Sequence, residues 1–253
     1  MRVVAIIQAR MGSTRRPGKV LEKIHGQALL EHLLVRLRAV KELDDIVIAT
    51  THHESDDVLS EWASSNDIKC FRGSEDNVLS RFYHCASEND AQVIVRITAD
   101  DPLKDPEVIS HAINLLLDHS ELDYVSNTIK PTYPEGIDVE VFTFEALQRA
   151  FNLAIKKSDL EHVTPYIWKN SEEFRVLNFE ASVDTSSVRL TVDYEEDIEV
   201  VGRILHRFIE YPLVPYQQIV DFLNVHPEIT KLNGRIIRNE GYISSVSEEK
   251  ING

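Results

Sequence analysis

The chain has 253 residues, 43% of them hydrophobic, and a formal net charge of -15. At that length roughly 70–75% of the unfolded surface can be buried, so no disulfide or structural metal is needed for a core, and Cys70 and Cys85 form no framework or CxxC pair. The acidic balance excludes a general nucleic-acid or anionic-membrane surface, and no apolar stretch approaches the roughly 20 residues of a membrane span.

Residues 3–7 are a continuous apolar, β-branched run, as expected of a strand covered on both faces. A loop punctuated by Gly and Pro follows. Leu29, Leu30, Leu33, Leu34, Leu37 and Val40 then recur at helical spacing. Residues 46–50 read as a second strand, Val58, Leu59, Trp62 and Ala63 as the next helix, and residues 69–72 as a short third strand. Val78, Leu79, Phe82, Tyr83 and Ala86 mark another helix before a strand over 92–97. This alternation predicts a largely parallel sheet with helices on both faces.

After residue 120 the rhythm loosens. A short strand is expected at 123–125, and the alternation of apolar and acidic residues over 137–142 predicts a half-exposed strand. Helices are expected over about 143–155 and 159–170, strands over 174–179 and 188–192, and helices over about 195–210 and 216–224. Residues 239–253 are polar and aperiodic, which predicts a flexible tail after a single domain of residues 1–238. The opening residues lack the order of a secretory signal, and with so few cysteines a cytoplasmic setting is expected.

The loop after the first strand concentrates charge. Residues 10–23 hold Arg10, Arg15, Arg16, Lys19 and Lys23 against one acid, Glu22. In an open α/β sheet ligands bind beyond the carboxyl ends of the strands, where this loop lies. Gly12 and Gly18 let backbone N–H groups approach an anion, while Arg and Lys neutralise phosphate. Five residues separate Gly12 from Gly18 and Val20 follows Lys19, so this is no Walker A loop, and no GxGxxG fingerprint is present. Phosphate binding here requires another arrangement; the bland alternative is a solvated basic loop.

Acids follow two of the expected strands. Asp100 and Asp101 come just after residues 94–97, and Asp193 just after 188–192. One aspartate from each end suits Mg²⁺, which takes one or two carboxylates and fills its shell with phosphate oxygens and water. An Asx turn at Asp100 and a helix cap at Asp193 are the structural alternatives. Asp138 and Glu140 share one face of the strand after Pro134 and Gly136, open to a sugar's hydroxyls, a metal, a partner subunit or plain solvent. His162 has no second ligand at i+4, so zinc is not indicated.

Taken together, Gln8-Ala9-Arg10-Met11-Gly12-Ser13-Thr14-Arg15 with Pro17-Gly18-Lys19, the run from Arg72 to Leu79 with Arg81-Phe82, Arg96-Ile97-Thr98 through Asp100, Gly136-Ile137-Asp138-Val139-Glu140, Glu161-His162-Val163-Thr164-Pro165, and Arg189-Leu190-Thr191-Val192-Asp193 form an ordered pattern. It resembles the cytidylyltransferase family that includes CMP-KDO synthetases and acylneuraminate cytidylyltransferases, nearest the branch of spore-coat polysaccharide biosynthesis protein F, over roughly residues 3–205. The resemblance implies a three-layer α/β/α, Rossmann-like nucleotide-diphospho-sugar transferase fold with a mostly parallel mixed sheet, making residues 1–238 a nucleotidyltransferase domain. It implies CTP as donor, Mg²⁺ as cofactor, pyrophosphate as product, a small acidic or phosphorylated sugar or polyol as acceptor, and a homodimer.

By position, Arg10, Arg15 and Lys19 are expected to stabilise charge on the triphosphate. Gln8, Ala9, Gly12 and Ser13, with Arg72 and Asp76, are expected to contact the nucleotide. Asp100 and Asp193 match the metal-binding acids, and Asp138, Glu140 and His162 are expected to face the acceptor. Two positions depart from the pattern: Arg16 stands where the family carries an apolar residue, and Asp101 where this branch carries cysteine or another small residue. The alternatives are the same fold using GTP or UTP, or a silent nucleotide-sugar-binding subunit, against which Lys19, Asp100 and Asp193 argue.

Overall fold

Alternate residues of the first strand serve opposite layers: Val3, Ala5 and Ile7 pack into one apolar core, Val4 and Ile6 into another. That is why the run reads as continuously apolar. In the computed structural model, which describes residues 1–13 and 15–252, this strand is β1 (Val3–Gln8). A small antiparallel ribbon follows, β2 (Lys23–Ile24) and β3 (Gln27–Ala28). The remaining strands are β4 (Asp45–Thr51), β5 (Lys69–Gly73), β6 (Val93–Thr98), β7 (Tyr124–Ser126), β8 (Glu140–Thr143) and β9 (Val176–Asn178). The main sheet has the order β5-β4-β1-β6-β8-β7-β9. Its pairings are parallel except those of β8, which runs against both neighbours.

The helices are α1 (Leu29–Leu37), α2 (Asp57–Ser65), α3 (Val78–Glu88), α4 (Pro106–Asp118), α5 (Phe144–Leu153), α6 (Lys157–His162), α7 (Pro165–Lys169), α8 (Glu195–Arg207), α9 (Tyr216–Val225), α10 (Pro227–Asn233) and α11 (Glu240–Asn252). Leucines of α1 and apolar faces of α4, α8 and α9 build one core. Residues of α3 and α5, with Val163 and Ile167, build the other. The result is the expected three-layer α/β/α sandwich with a mostly parallel mixed sheet. None of its helices is long and apolar enough to cross a membrane, among the described residues.

Several expectations change. Helix α4 was not anticipated, although Asp105 caps it, Pro106 opens it, and Val108, Ile109, Ala112, Ile113 and Leu116 are buried at helical spacing. The strand expected over 137–142 starts only at Glu140 and is not half-exposed: β8 lies between β6 and β7, with Glu140, Val141 and Phe142 buried. Its acid is internal because partners inside the fold neutralise it. The helix expected over 159–170 is broken at Val163, whose φ of 72° is left-handed, before Pro165 starts α7. Residues 188–192 are no ladder strand; a single parallel bridge joins Arg189 to Glu135. The flexible tail is corrected as well: Glu240–Asn252 is helical and held by polar contacts rather than an apolar stripe, so periodicity carried no signal. Helix α10 was likewise unanticipated. Thr14 and Gly253, parts of the basic loop and the tail, lie outside the described residues.

Candidate active site

Strands β1 and β6 pair in parallel and end together, Gln8 opposite Thr98. Their following loops face a cleft of about 630 Å³. The loop after β1 is held by Asp56, a buried carboxylate that accepts from Met11 N at 2.7 Å, from Thr50 Oγ1 at 2.9 Å and from Thr51 Oγ1. It closes where Gly18 N donates to Met11 O at 2.8 Å. Gly18 has φ 77°, the left-handed region that glycine enters without a Cβ penalty. The next residue, Lys19, begins a 3₁₀ turn pointing into the site.

Lys19 is buried, and Nζ donates to Asp100 Oδ2 at 2.7 Å, Asp193 Oδ1 at 2.7 Å and Val192 O at 2.9 Å. Burial works against its charge, but the two carboxylates outweigh it and raise the pKa. Burial likewise opposes ionisation of Asp193, yet Lys19 and Arg15 hold it down to about 2. The two aspartates meet because Val192 N donates to Asp100 O at 2.9 Å, zipping one loop onto the other. Gly136 lets the same segment pass closely on its other side: a Cβ there would come within 2.8 Å of the Leu190–Thr191 backbone.

Asp100 and Asp193 thus converge on one cation. Among the described residues no group of three or more His, Cys, Asp or Glu side chains is arranged to hold a metal alone. A pair of carboxylates is nevertheless the donor set from which Mg²⁺ completes its shell with phosphate oxygens and water, and the residues fit that ion.

Arg15 Nη2 donates to Asp193 Oδ1 at 2.7 Å and Nη1 to Glu240 Oε2 at 3.3 Å, with the guanidinium 5.6 Å from the Tyr194 ring centroid. Arg10 reaches Glu75 at 3.1 Å on the rim. Gln8, Ala9, Arg10, Ser13, Arg15 and Lys19 all line the cleft. The two departures resolve into structure. Arg16 grips Glu22 at 2.5 and 2.6 Å and Glu195 at 2.5 Å, tying the loop to the start of α8. Asp101 is buried, accepting from Thr98 Oγ1 at 2.6 Å and pairing with Lys104 Nζ at 2.8 Å, so its charge is already spent.

Arg189, quoted in the sequence pattern without a role, is the hub behind the site. Its fork meets Asp197 at 2.9 and 3.0 Å, Glu135 at 2.7 Å and Asp193 Oδ2 at 3.0 Å. Asp197 in turn accepts from the backbone N of Asp193 at 2.9 Å and of Tyr194 at 3.0 Å. The usable signal was a lone arginine in the apolar run 188–192: a buried guanidinium requires carboxylate partners.

At the opposite end Glu140 is sealed. It binds Arg96, accepts from Tyr124 OH at 2.6 Å and Thr164 Oγ1 at 2.5 Å, and stays ionised because Arg96 and these hydroxyls outweigh its burial. Asp138 pairs with Arg238, while burial pushes its pKa up. His162 Nε2 lies 3.0 Å from Ser245 Oγ; burial, reinforced by Arg96, pushes it down to about 4. All three line the cleft. Gly12, Arg72 and Asp76 do not. Arg72 is bound to Thr51 O at 2.8 Å, His53 O at 2.9 Å and Asp57 at 2.6 Å, bracing the β4–β5 edge.

The cytidylyltransferase family model matches residues 4–225 of this chain. An uncharacterized protein of Methanocaldococcus jannaschii is 40% identical over 246 residues, 96% of this chain and 98% of the relative. Spore coat polysaccharide biosynthesis protein SpsF of Bacillus subtilis is 36% identical over 89% of this chain and 95% of its own. A solved cytidylyltransferase from Leptospira borgpetersenii serovar Hardjo-bovis superposes with a TM-score of 0.87 at 31% identity, covering 91% of this chain and 97% of that one.

Proposed function

The chain belongs to the cytidylyltransferase family and is a nucleotidyltransferase; from that premise we propose that it transfers CMP from CTP to a sugar acid or a sugar or polyol phosphate, for surface polysaccharide or glycoconjugate synthesis. The observation that carries the proposal is the buried Lys19, clasped by Asp100 and Asp193 beside the basic loop after β1.

An acceptor oxygen attacks the α-phosphorus in line, a new P–O bond forms, and pyrophosphate leaves with the bond electrons. Negative charge grows on the equatorial and leaving oxygens. Lys19 and Arg15, turning from carboxylates to phosphate, and Arg10 at the rim, neutralise it. Arg189 keeps Asp193 oriented toward the cleft during that exchange. Gln8, Ala9 and Ser13 line the nucleotide. Asp138, Glu140 and His162 form the acceptor end, where Glu140 and a neutral His162 shape the wall rather than move protons. Mg²⁺, held by Asp100 and Asp193, would supply charge neutralisation on the phosphates. A homodimer belongs to the same proposal.

The test is pyrophosphate release from CTP, GTP, UTP and ATP with a panel of sugar acids and sugar and polyol phosphates. Release from CTP alone, dependent on one acceptor, is expected; preference for another nucleotide or silence with every acceptor overturns the reading.

A further inference from the structure

The family match ends at residue 225, but the cleft does not. Ile237, Asn239, Glu240, Gly241 and Tyr242 also line it. The segment is fastened along its length by polar contacts. Asn239 N donates to Glu135 Oε1 at 3.0 Å, Tyr194 OH to Glu240 Oε2 at 2.6 Å, and Ser245 Oγ to Glu161 at 3.0 Å. Glu249 receives both the N–H and the hydroxyl of Ser158. Tyr242 stands edge-on to His162 and Trp168, with centroids 5.2 and 6.0 Å apart, so the first turn of α11 walls the acceptor end.

One of these fastenings competes with a ligand. Arg15, assigned above to the triphosphate, gives its Nη1 to Glu240. The Glu240 side chain is 45% exposed, and an exposed ion pair is weak. A triphosphate carries several charges and binds guanidinium through stronger charge-assisted bonds. A phosphate oxygen that takes this N–H of Arg15 displaces the carboxylate from it.

We propose that Glu240 is a latch. In the free protein its Oε2, shared by Arg15 and Tyr194, stands in for phosphate on Arg15 and steadies α11 over the acceptor end; the nucleotide triphosphate takes Arg15, Tyr194 is left as that oxygen's partner, and α11 loosens at its first turn. The proposal rests on the CTP reading for its key, but the latch itself is a property of the free chain.

The test uses the full-length protein with Glu240→Gln and Glu249→Gln, following amide hydrogen exchange over residues 243–249 and calorimetric titration with CTP and Mg²⁺. Without nucleotide, Glu240→Gln exchanges about two- to fivefold faster than the unmodified chain, the scale of one exposed ion pair. CTP accelerates the same amides in the unmodified chain, and binds Glu240→Gln about two- to fivefold more tightly. Glu249→Gln loosens the far end of α11 yet leaves CTP affinity unchanged, because it does not free Arg15. Equal exchange in the unmodified chain and Glu240→Gln, slower exchange on adding CTP, or equal tightening by both variants overturns the latch. If no protein of the three binds CTP, the nucleotide reading fails, and the ligand-free exchange decides the latch alone.

Discussion

Asp193 and Glu140 are almost equally buried, 8% and 7% exposed, and each is met by arginine. Their other partners differ. Asp193 shares its outer oxygen with Lys19 and Arg15, both from the loop that lines the cleft. Glu140 spends its oxygens on a neighbouring strand's Arg96, on Tyr124 and on Thr164 before α7, none of them from the loop after β1. The difference separates two uses of a buried charge. Around Asp193 cations and acids from the cleft loop hold one another in pairs that a polyanion can exchange; around Glu140 the partners belong to the sheet and to the start of α7.

Breaking the exchangeable end has the largest effect. Lys19→Ala lowers CTP-dependent pyrophosphate release by about 10²–10³-fold, the scale for removing one stabiliser of developing charge, while circular dichroism reports an intact fold. Comparable turnover in the variant would put Lys19 outside the chemistry. The sealed end responds the other way. Glu140→Gln leaves Arg96 without its counter-charge and costs about 1.5–3 kcal/mol in urea unfolding, with turnover of the folded protein largely kept. A loss of turnover at unchanged stability would erase the contrast between the two ends.

Arg189 connects the comparison to the hub behind the site. Arg189→Lys keeps the charge but not the fork that meets three carboxylates, and about tenfold weaker Mg²⁺ affinity is expected, as for residues that orient metal ligands. Metal titration followed by CTP binding checks this; unchanged affinity would reduce Arg189 to a packing role.

The remaining test is a pH slope at the sealed end. His162 is depressed from 6.5 to about 4 by burial, so as pH falls from about 6.5 toward 4 the unfolded chain takes up a proton that the folded chain refuses. Its contribution is whole above pH 6.5 and lost through that window. Unfolding curves of His162→Gln should lose this part of the acid dependence; an identical slope in the variant would contradict it.

The legibility of the sequence follows the same division. Strands β1, β4 and β6 and helices α1 and α3 announce themselves because burial on a sheet or a helix face imposes a period. The basic loop and the aspartates after β6 and before α8 were legible because ligand sites gather at strand ends. Glu140 read as half-exposed because an acid in alternation looks solvated; nothing local reveals Arg96, 44 residues away. The role of α11 was hidden for the same reason, its anchors being Glu135, Tyr194, Ser158 and Glu161, far back in the chain.

The account turns on Lys19, Asp100 and Asp193 acting as one nucleotide-binding unit. Calorimetric titration of CTP into the unmodified chain and Asp100→Asn, each with and without Mg²⁺, tests it most directly. The account predicts binding that Mg²⁺ strengthens in the unmodified chain and a loss of that strengthening in Asp100→Asn, with the fold retained. Equal Mg²⁺ dependence in the two proteins would contradict it.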